Sequence, residues 1–330
     1  MALSLRWGTV TAVDQRLQEL IRCKVDGVPC LAYPRQTGPV EEGDVVIVNV
    51  QARSLELGSG GFDILYVNLT RGLNLRANED AHVMSLPYTP GQAAYRTVEE
   101  GWPLAESLDG MPVVCCGLHS QVAPVCAGIG PEKRVAYVQL GGGALPVSLS
   151  DTVRALKARG LLDLAIAVAP CSDGDVQAVT VPAALAWAKS ERFDVVVCGI
   201  GPGIVGTASD LGHGGLAVAD AANAAAALRG RAIVTVRHSG GDERERHQGV
   251  SHHTRAAVAL CLGAREIAWP SGLPEPGLSW PERVVQVPVD GWSEVCAGLP
   301  LLHMGRGPDD DPWFFAAAFA AGRLARAHLG

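Results

Sequence analysis

The chain has 330 residues, of which 48% are hydrophobic and 18% charged, with a formal net charge of -7. That is enough apolar material for one large core and a smaller one, and it excludes a disordered or low-complexity chain. The acidic balance also lacks the footprint of a protein that grips a phosphate backbone, so no nucleic-acid partner is expected.

The first sixteen residues hold no continuous apolar region of the signal-peptide kind, and no later run reaches the roughly 20 apolar residues of a membrane span. A cytoplasmic protein without a membrane role is expected. The nine cysteines are scattered without a C-x-x-C frame and are odd in number, so they read as reduced core residues. Cys171 is the exception, a cysteine in a polar, exposed setting where Asp173 and Asp175 would disfavour its thiolate.

Residues 7–13, 19–25, 28–34 and 45–50 are short β-branched runs, punctuated by Asp26-Gly27 and Glu42-Gly43-Asp44. They predict a small N-terminal β-barrel over 1–72. Without a basic face or an aromatic ladder it reads as a lid, spacer or assembly surface. Residues 73–110 form a connector, where Thr89-Pro90 is suited to be the cap and first position of a helix running to Glu100.

From 111 to 330 the texture is that of a larger, doubly wound, mostly parallel α/β domain. Apolar strands at 112–116, 134–140, 162–169, 194–198 and 232–236 alternate with helical stretches near 121–129, 150–159, 179–190, 215–228 and 251–262. A Pro/Gly-rich segment, 270–281, precedes a last strand at 283–287. A closing helix begins near Asp309, with Asp309, Asp310 and Asp311 at its start and Arg323, Arg326 and His328 at its end, matching the helix dipole.

Ligands of an open parallel sheet bind outside the carboxyl ends of its strands. Here those ends are small and polar: Gly117-Leu118-His119-Ser120, Gly141-Gly142-Gly143, Cys171 to Asp175, Gly201 to Thr207, and Arg237 to Asp242. The run Gly201-Pro202-Gly203-Ile204-Val205-Gly206 has the G-x-G-x-x-G form. However, irregular sequence continues to Gly214, and the next strand ends in Arg237 rather than in an acid that would hold a ribose. It is therefore read as an anion- or substrate-binding loop, with Gly201, Gly203, Gly206, Thr207, Gly142, Ser120 and Arg237 as ligand contacts. The plainer alternative is a tight packing turn.

A second concentration runs from His238 to Thr254. His238, Asp242, His247, His252 and His253 are candidate acid/base groups, and a divalent metal held by His213, His238 and His252 is a further expectation. Adjacent His252 and His253 at a helix start point about 100° apart, so one of them is expected to face a shared site. In the plainer alternative Ser251 is an N-cap, one histidine is core, and 242–246 is a solvated charge run. His119 is a further catalytic candidate. Ser120 beside it invites a nucleophile reading, but the G-x-S-x-G elbow is missing and His119 is badly placed to be its base.

His82-Val83-Met84, Tyr88-Thr89-Pro90, Leu118-His119-Ser120, Gly201 to Thr207, Gly249 to Thr254 and Gly305-Arg306-Gly307 together resemble a bacterial family known as domain of unknown function 3866, over nearly the whole chain. The resemblance implies a bacterial cytosolic setting and brings no activity with it. The residues themselves point first to an enzyme performing hydrolysis or group transfer on a small anionic metabolite. A non-catalytic nucleotide- or metabolite-binding sensor or assembly protein stays open, as does a nicotinamide-dependent oxidoreductase, which requires a helix opening inside the glycines. A homo-oligomer is compatible with all three.

Overall fold

The computed structural model describes residues 2–55, 61–76, 79–101, 103–274 and 283–330. It divides into two compact units, Met1–Tyr95 and Arg96–Gly330.

In the first unit, β1 (Leu5–Arg16), β2 (Ile21–Val25), β3 (Val28–Ala32), β4 (Val45–Asn49) and β5 (Asp63–Asn68) close a barrel in the order β1-β2-β3-β5-β4. β1 pairs with both β2 and β4, and two register shifts against β2 bend it across the barrel. With β3 parallel to β5, this is the five-stranded Greek-key order of OB-type barrels. Asp26 and Gly27, with φ of 50° and 78°, make the two-residue turn between β2 and β3. Alternate residues, among them Val10, Cys23, Val46, Val48 and Leu65, fill the interior. Short helices α1 (Pro34–Thr37) and α2 (Gln51–Ser54) join the later strands.

The helix expected from Thr89 to Glu100 does not form. Instead β6 (Val83–Ser85) pairs with β7 (Ala93–Tyr95), and one 3-10 turn follows at Val98–Glu100. Leu86 and Tyr88 take positive φ, and the Thr89 hydroxyl closes the turn by bonding Leu86 O and the Gly91 amide. A short polar side chain here competes with helix formation rather than starting it.

The second unit contains β8 (Pro112–Cys116), α3 (Val122–Ile129), β9 (Val135–Leu140), α4 (Asp151–Ala158), β10 (Leu164–Val168), β11 (Val176–Ala178), α5 (Val181–Ser190), β12 (Val195–Ile200), α6 (Ala217–Ala227) and β13 (Arg231–Val234). There follow the two-residue pair β14 (His238–Ser239) and β15 (Gly249–Val250), then α7 (His252–Leu260), β16 (Arg265–Pro270), β17 (Arg283–Val287), α8 (Trp292–Val295) and α9 (Pro312–Ala327). Eight of the strands form one parallel sheet, ordered β11-β10-β9-β12-β8-β13-β16-β17.

Two of these strands, β11 and β16, lie outside the sequence reading. β16 was hidden because it opens on Arg265-Glu266; Glu266 is buried, with Arg231, Arg283 and His328 around its carboxylate. Of the Pro/Gly-rich segment, residues 275–282 lie outside the described residues.

Side chains alternate faces along the buried strands. Val113 and Cys115 pack toward α5, α6 and α7, while Val114 and Cys116 pack toward α3, α4, α8 and α9. α3 and α9 approach closely at Gly128 and Gly322, where any Cβ would lie 2.5 and 2.0 Å from the opposite helix's carbonyl oxygen. Among the described residues no helix is long and apolar enough to cross a membrane.

The chain leaves β8 for β9 on one side, passing β12, and later leaves β12 for β13 on the other side of β8. The connections diverge at the carboxyl ends of these central strands, where an α/β sheet opens its ligand crevice.

Candidate functional site

Buried Gln121 stitches the crevice floor together. Its Oε1 accepts the Leu118 amide and the Thr235 hydroxyl, and its Nε2 donates to Val236 O, tying the end of β8 to the end of β13. His119 is likewise structural in its contacts. Its Nδ1 lies 3.0 Å from Ile200 O and its Nε2 2.7 Å from the hydroxyl of Ser150, the N-cap of α4. A carbonyl only accepts, so Nδ1 carries the hydrogen and Nε2 receives the serine's. Burial lowers the pKa of this ring to about 4.

The glycine loop does not run straight into a helix. After Gly201 to Gly206 the chain turns at Thr207 to Gly212, returns to pair His213 with Gly206, and begins α6 only at Ala217. Several amides of the stretch are bonded within the fold: Val205 N donates to Gly142 O, Thr207 N to Gly212 O, and Gly214 N to Val205 O. The Thr207 hydroxyl is held by Gly212 O and the Ser209 amide. Gly142, at φ 122°, has no room for a side chain, because its Cβ would lie 2.5 Å from Gly214 O. The close approaches at Gly142, Gly201 and Gly206 are those of the packing-turn alternative. The helix start that a dinucleotide fingerprint requires is also missing. What the loop delivers is Asp210 and His213.

Those two residues meet a group of imidazoles. His213 stacks on His253 with centroids 3.7 Å apart, and His252 and His247 lie 4.4 and 4.9 Å from the same ring. The β14–β15 pair folds the chain back, a 3-10 turn at Glu245–His247 carries His247, and the Ser251 hydroxyl caps α7 by accepting the His253 amide. The expected N-cap is therefore present. The expectation that only one of His252 and His253 faces the site is corrected: partners arrive from two loops, so rings a third of a turn apart both find one.

Hydrogen bonds fix much of the proton inventory. His252 Nδ1 lies 2.9 Å from the Asp210 carboxylate, which can only accept, so Nδ1 carries a hydrogen; Nε2 is buried without a partner, as are both nitrogens of His213. His253 Nδ1 lies 3.2 Å from Arg237 Nη1, which can only donate, so here Nδ1 is the acceptor. His247 Nδ1 rests 2.8 Å from the Ser251 hydroxyl. Burial, then neighbouring positive groups including Arg237, lowers the pKa of His247 to about 3 and pushes His253 far down as well; burial and His252 also lower His213. These three rings are neutral near pH 7, the form that ligates metal or accepts a proton. His247, His252 and His253 each offer one ligand atom within 4.8 Å of the others'.

His238, expected in this group, packs edge-on against Trp269 instead, at 6.1 Å. Of the metal ligands expected, His252 belongs to the trio, His213 stacks beside it, and His238 is in neither position. Asp242 is no solvated charge. It is 2% exposed and accepts from Arg237, Arg244 and Arg306. Burial alone would raise its carboxyl, but Arg244 and Arg237 overcome that and hold it well below the usual range. Arg237 is 4% exposed, and burial lowers its pKa to about 10. Asp311, at the N-cap of α9, accepts from the Ser239 hydroxyl, the Gly240 amide and Arg306. Cys171, expected at the surface, is buried, which raises its pKa to about 12.

Ser120 also has a partner that the sequence did not suggest: its Oγ lies 3.2 Å from His303 Nδ1. Beside the histidines a cleft of about 680 Å³ opens between Asp210, His252, Glu245, Arg246 and Arg255.

Fold and site together define a parallel α/β protein with a histidine-rich carboxyl edge, joined in sequence to a five-stranded barrel. A family model described as "Protein of unknown function (DUF3866)" matches residues 29–322, and the chain belongs to that family. No curated protein and no solved structure matches it.

Proposed function

We propose that the chain is a metal-dependent enzyme performing hydrolysis or group transfer on a small anionic metabolite, with a divalent cation held by His247, His252 and His253. One observation carries the reading: the three imidazoles bring ligand atoms within 4.8 Å of one another at the sheet's carboxyl edge. Neutral imidazoles suit zinc, manganese or iron. The Asp210 carboxylate behind His252 is the orienting partner that metal-bound histidines commonly have.

Three protein ligands leave a position for water, whose pKa a cation lowers toward neutrality. Loading the site through His253 Nδ1 requires Arg237 to yield that nitrogen. Arg246 and Arg255, which line the cleft, are the cations available to an anionic substrate.

The test is elemental analysis of the protein purified without a histidine tag, beside a His252→Ala/His253→Ala variant. Near-stoichiometric zinc, manganese or iron in the wild type, lost in the variant, is the expected result. A metal-free wild type that takes up none of these ions on reconstitution would overturn the proposal, as would equal metal in both proteins.

A further inference from the structure

We infer that Ser120 and His303 form a second reactive pair on this edge, a serine nucleophile and its histidine base, suited to acyl transfer from a small ester or thioester. Ser120 is partly exposed in the 3-10 turn that follows central strand β8, at the point where the chain connections diverge. Its Oγ lies 3.2 Å from His303 Nδ1. His303 is 5% exposed, its ring lies flat on Phe314 at 4.0 Å, and its Nε2 is buried without a partner.

The support for that ring is built. His303 and Arg306 exchange both backbone hydrogen bonds around Met304 and Gly305, which take φ of 51° and 81°. This is a primed two-residue turn, uncommon for a residue as large as methionine. Arg306 anchors it by reaching Asp242 and Asp311. Stacking and turn together leave the imidazole little freedom beyond facing Ser120.

The chemistry follows from charge. The charged groups around His303 are Arg237, Arg306, Asp242 and Arg244; burial first, then Arg237, lowers the ring's pKa to about 3. The ring is therefore neutral and able to accept the hydroxyl proton, and its low basicity makes the pair slow. All three arginines bond Asp242, so a doubly charged phosphoryl group would find their charge already answered. An uncharged carbonyl needs no such answer, and Leu118, Phe314 and Phe315 supply apolar surroundings.

In the reaction Ser120 Oγ bonds the acyl carbon while the bond to the leaving oxygen or sulfur breaks. The hydroxyl proton passes to His303 Nδ1 and then to the leaving group. Water reverses the sequence, releasing the acid and restoring Ser120. No cation is involved, so the pair stands apart from the proposed metal centre.

The test is labelling of the full chain with an alkyl fluorophosphonate, read by peptide mass spectrometry, in wild type, Ser120→Ala and His303→Gln, each with and without EDTA. An adduct on Ser120 is expected that is absent in Ser120→Ala, about 100-fold slower in His303→Gln, and unchanged by EDTA. No adduct on Ser120, an equal rate in His303→Gln, or labelling abolished by EDTA would overturn the inference. If His303→Gln does not fold, the pH profile of wild-type labelling replaces it. A rate flat between pH 6 and 9 is expected of the assisted serine, and a tenfold rise per pH unit, the signature of unassisted hydroxide dependence, would overturn it.

Discussion

The barrel and the carboxyl edge of the α/β sheet handle charge in opposite ways. In the barrel Arg6 pairs with Asp26, Arg16 with Glu41, Lys24 with Asp14, Arg35 with Glu19, Arg53 with Asp63 and Arg71 with Asp44. Where a barrel carboxylate is buried, as in Asp44 and Asp63, its arginine stays in contact with water. At the sheet edge both Arg237 and Asp242 are buried, and His213, His238, His252 and His303 keep buried ring nitrogens without partners. Native proteins rarely leave buried polar atoms unmade. Most of those at the edge are ring nitrogens, and His252, which carries one of them, lines the open cleft, whereas in the barrel the described charged groups are largely paired with one another.

The strongest way to break this comparison is to remove its central charge. Asp242→Ala leaves Arg237 buried without its counter-charge, and the expected cost to the α/β unit is about 3–5 kcal/mol in urea unfolding. A loss under 1 kcal/mol would mean that the edge is as solvated as the barrel surface. Next comes pH. The folded-state pKa of His119 is about 4 against an ordinary 6.5, so the unfolded chain takes up the proton first. Stability is then full above pH 6.5 and falls as the pH drops toward 4, by about 3 kcal/mol for this one ring. His119→Gln should flatten the stability–pH curve by that amount in the same interval; an unchanged slope would show that the ring is not held neutral.

How much of this could be read beforehand depended on whether the signal was local. The Asp26-Gly27 turn and the apolar strands carry their signals within a few residues, and both were legible. β16 was not, because Glu266 looks like a surface residue until Arg231, Arg283 and His328 assemble around it. The histidine-rich stretch was legible as a concentration, and His213 was expected to join it from another loop, but His238 leaves it through the β14–β15 pair. His303 had no local signal, since Ser120 lies 183 positions earlier and only the fold brings them together. A hint lay in Met304-Gly305, a dipeptide unusual for a primed turn, beside the Gly305-Arg306-Gly307 run. The glycine loop was ambiguous because G-x-G-x-x-G specifies freedom of backbone, which serves close packing as well as phosphate binding.

The smallest expected effect sharpens the comparison from the barrel side. Arg16 and Glu41 lie 2.7 Å apart with about half of each side chain exposed, 45% and 50%, so water and salt compete for both charges. Arg16→Ala should cost less than about 1 kcal/mol, and the difference from wild type should shrink further in 1 M salt, where the screening length is about 3 Å. Asp242→Ala measured under the same conditions should keep most of its cost, because Arg237 is shielded from salt by the protein around it. If both variants respond alike to salt, burial is not what separates the two regions, and the unpaired histidine nitrogens of the edge lose their claim to be a site.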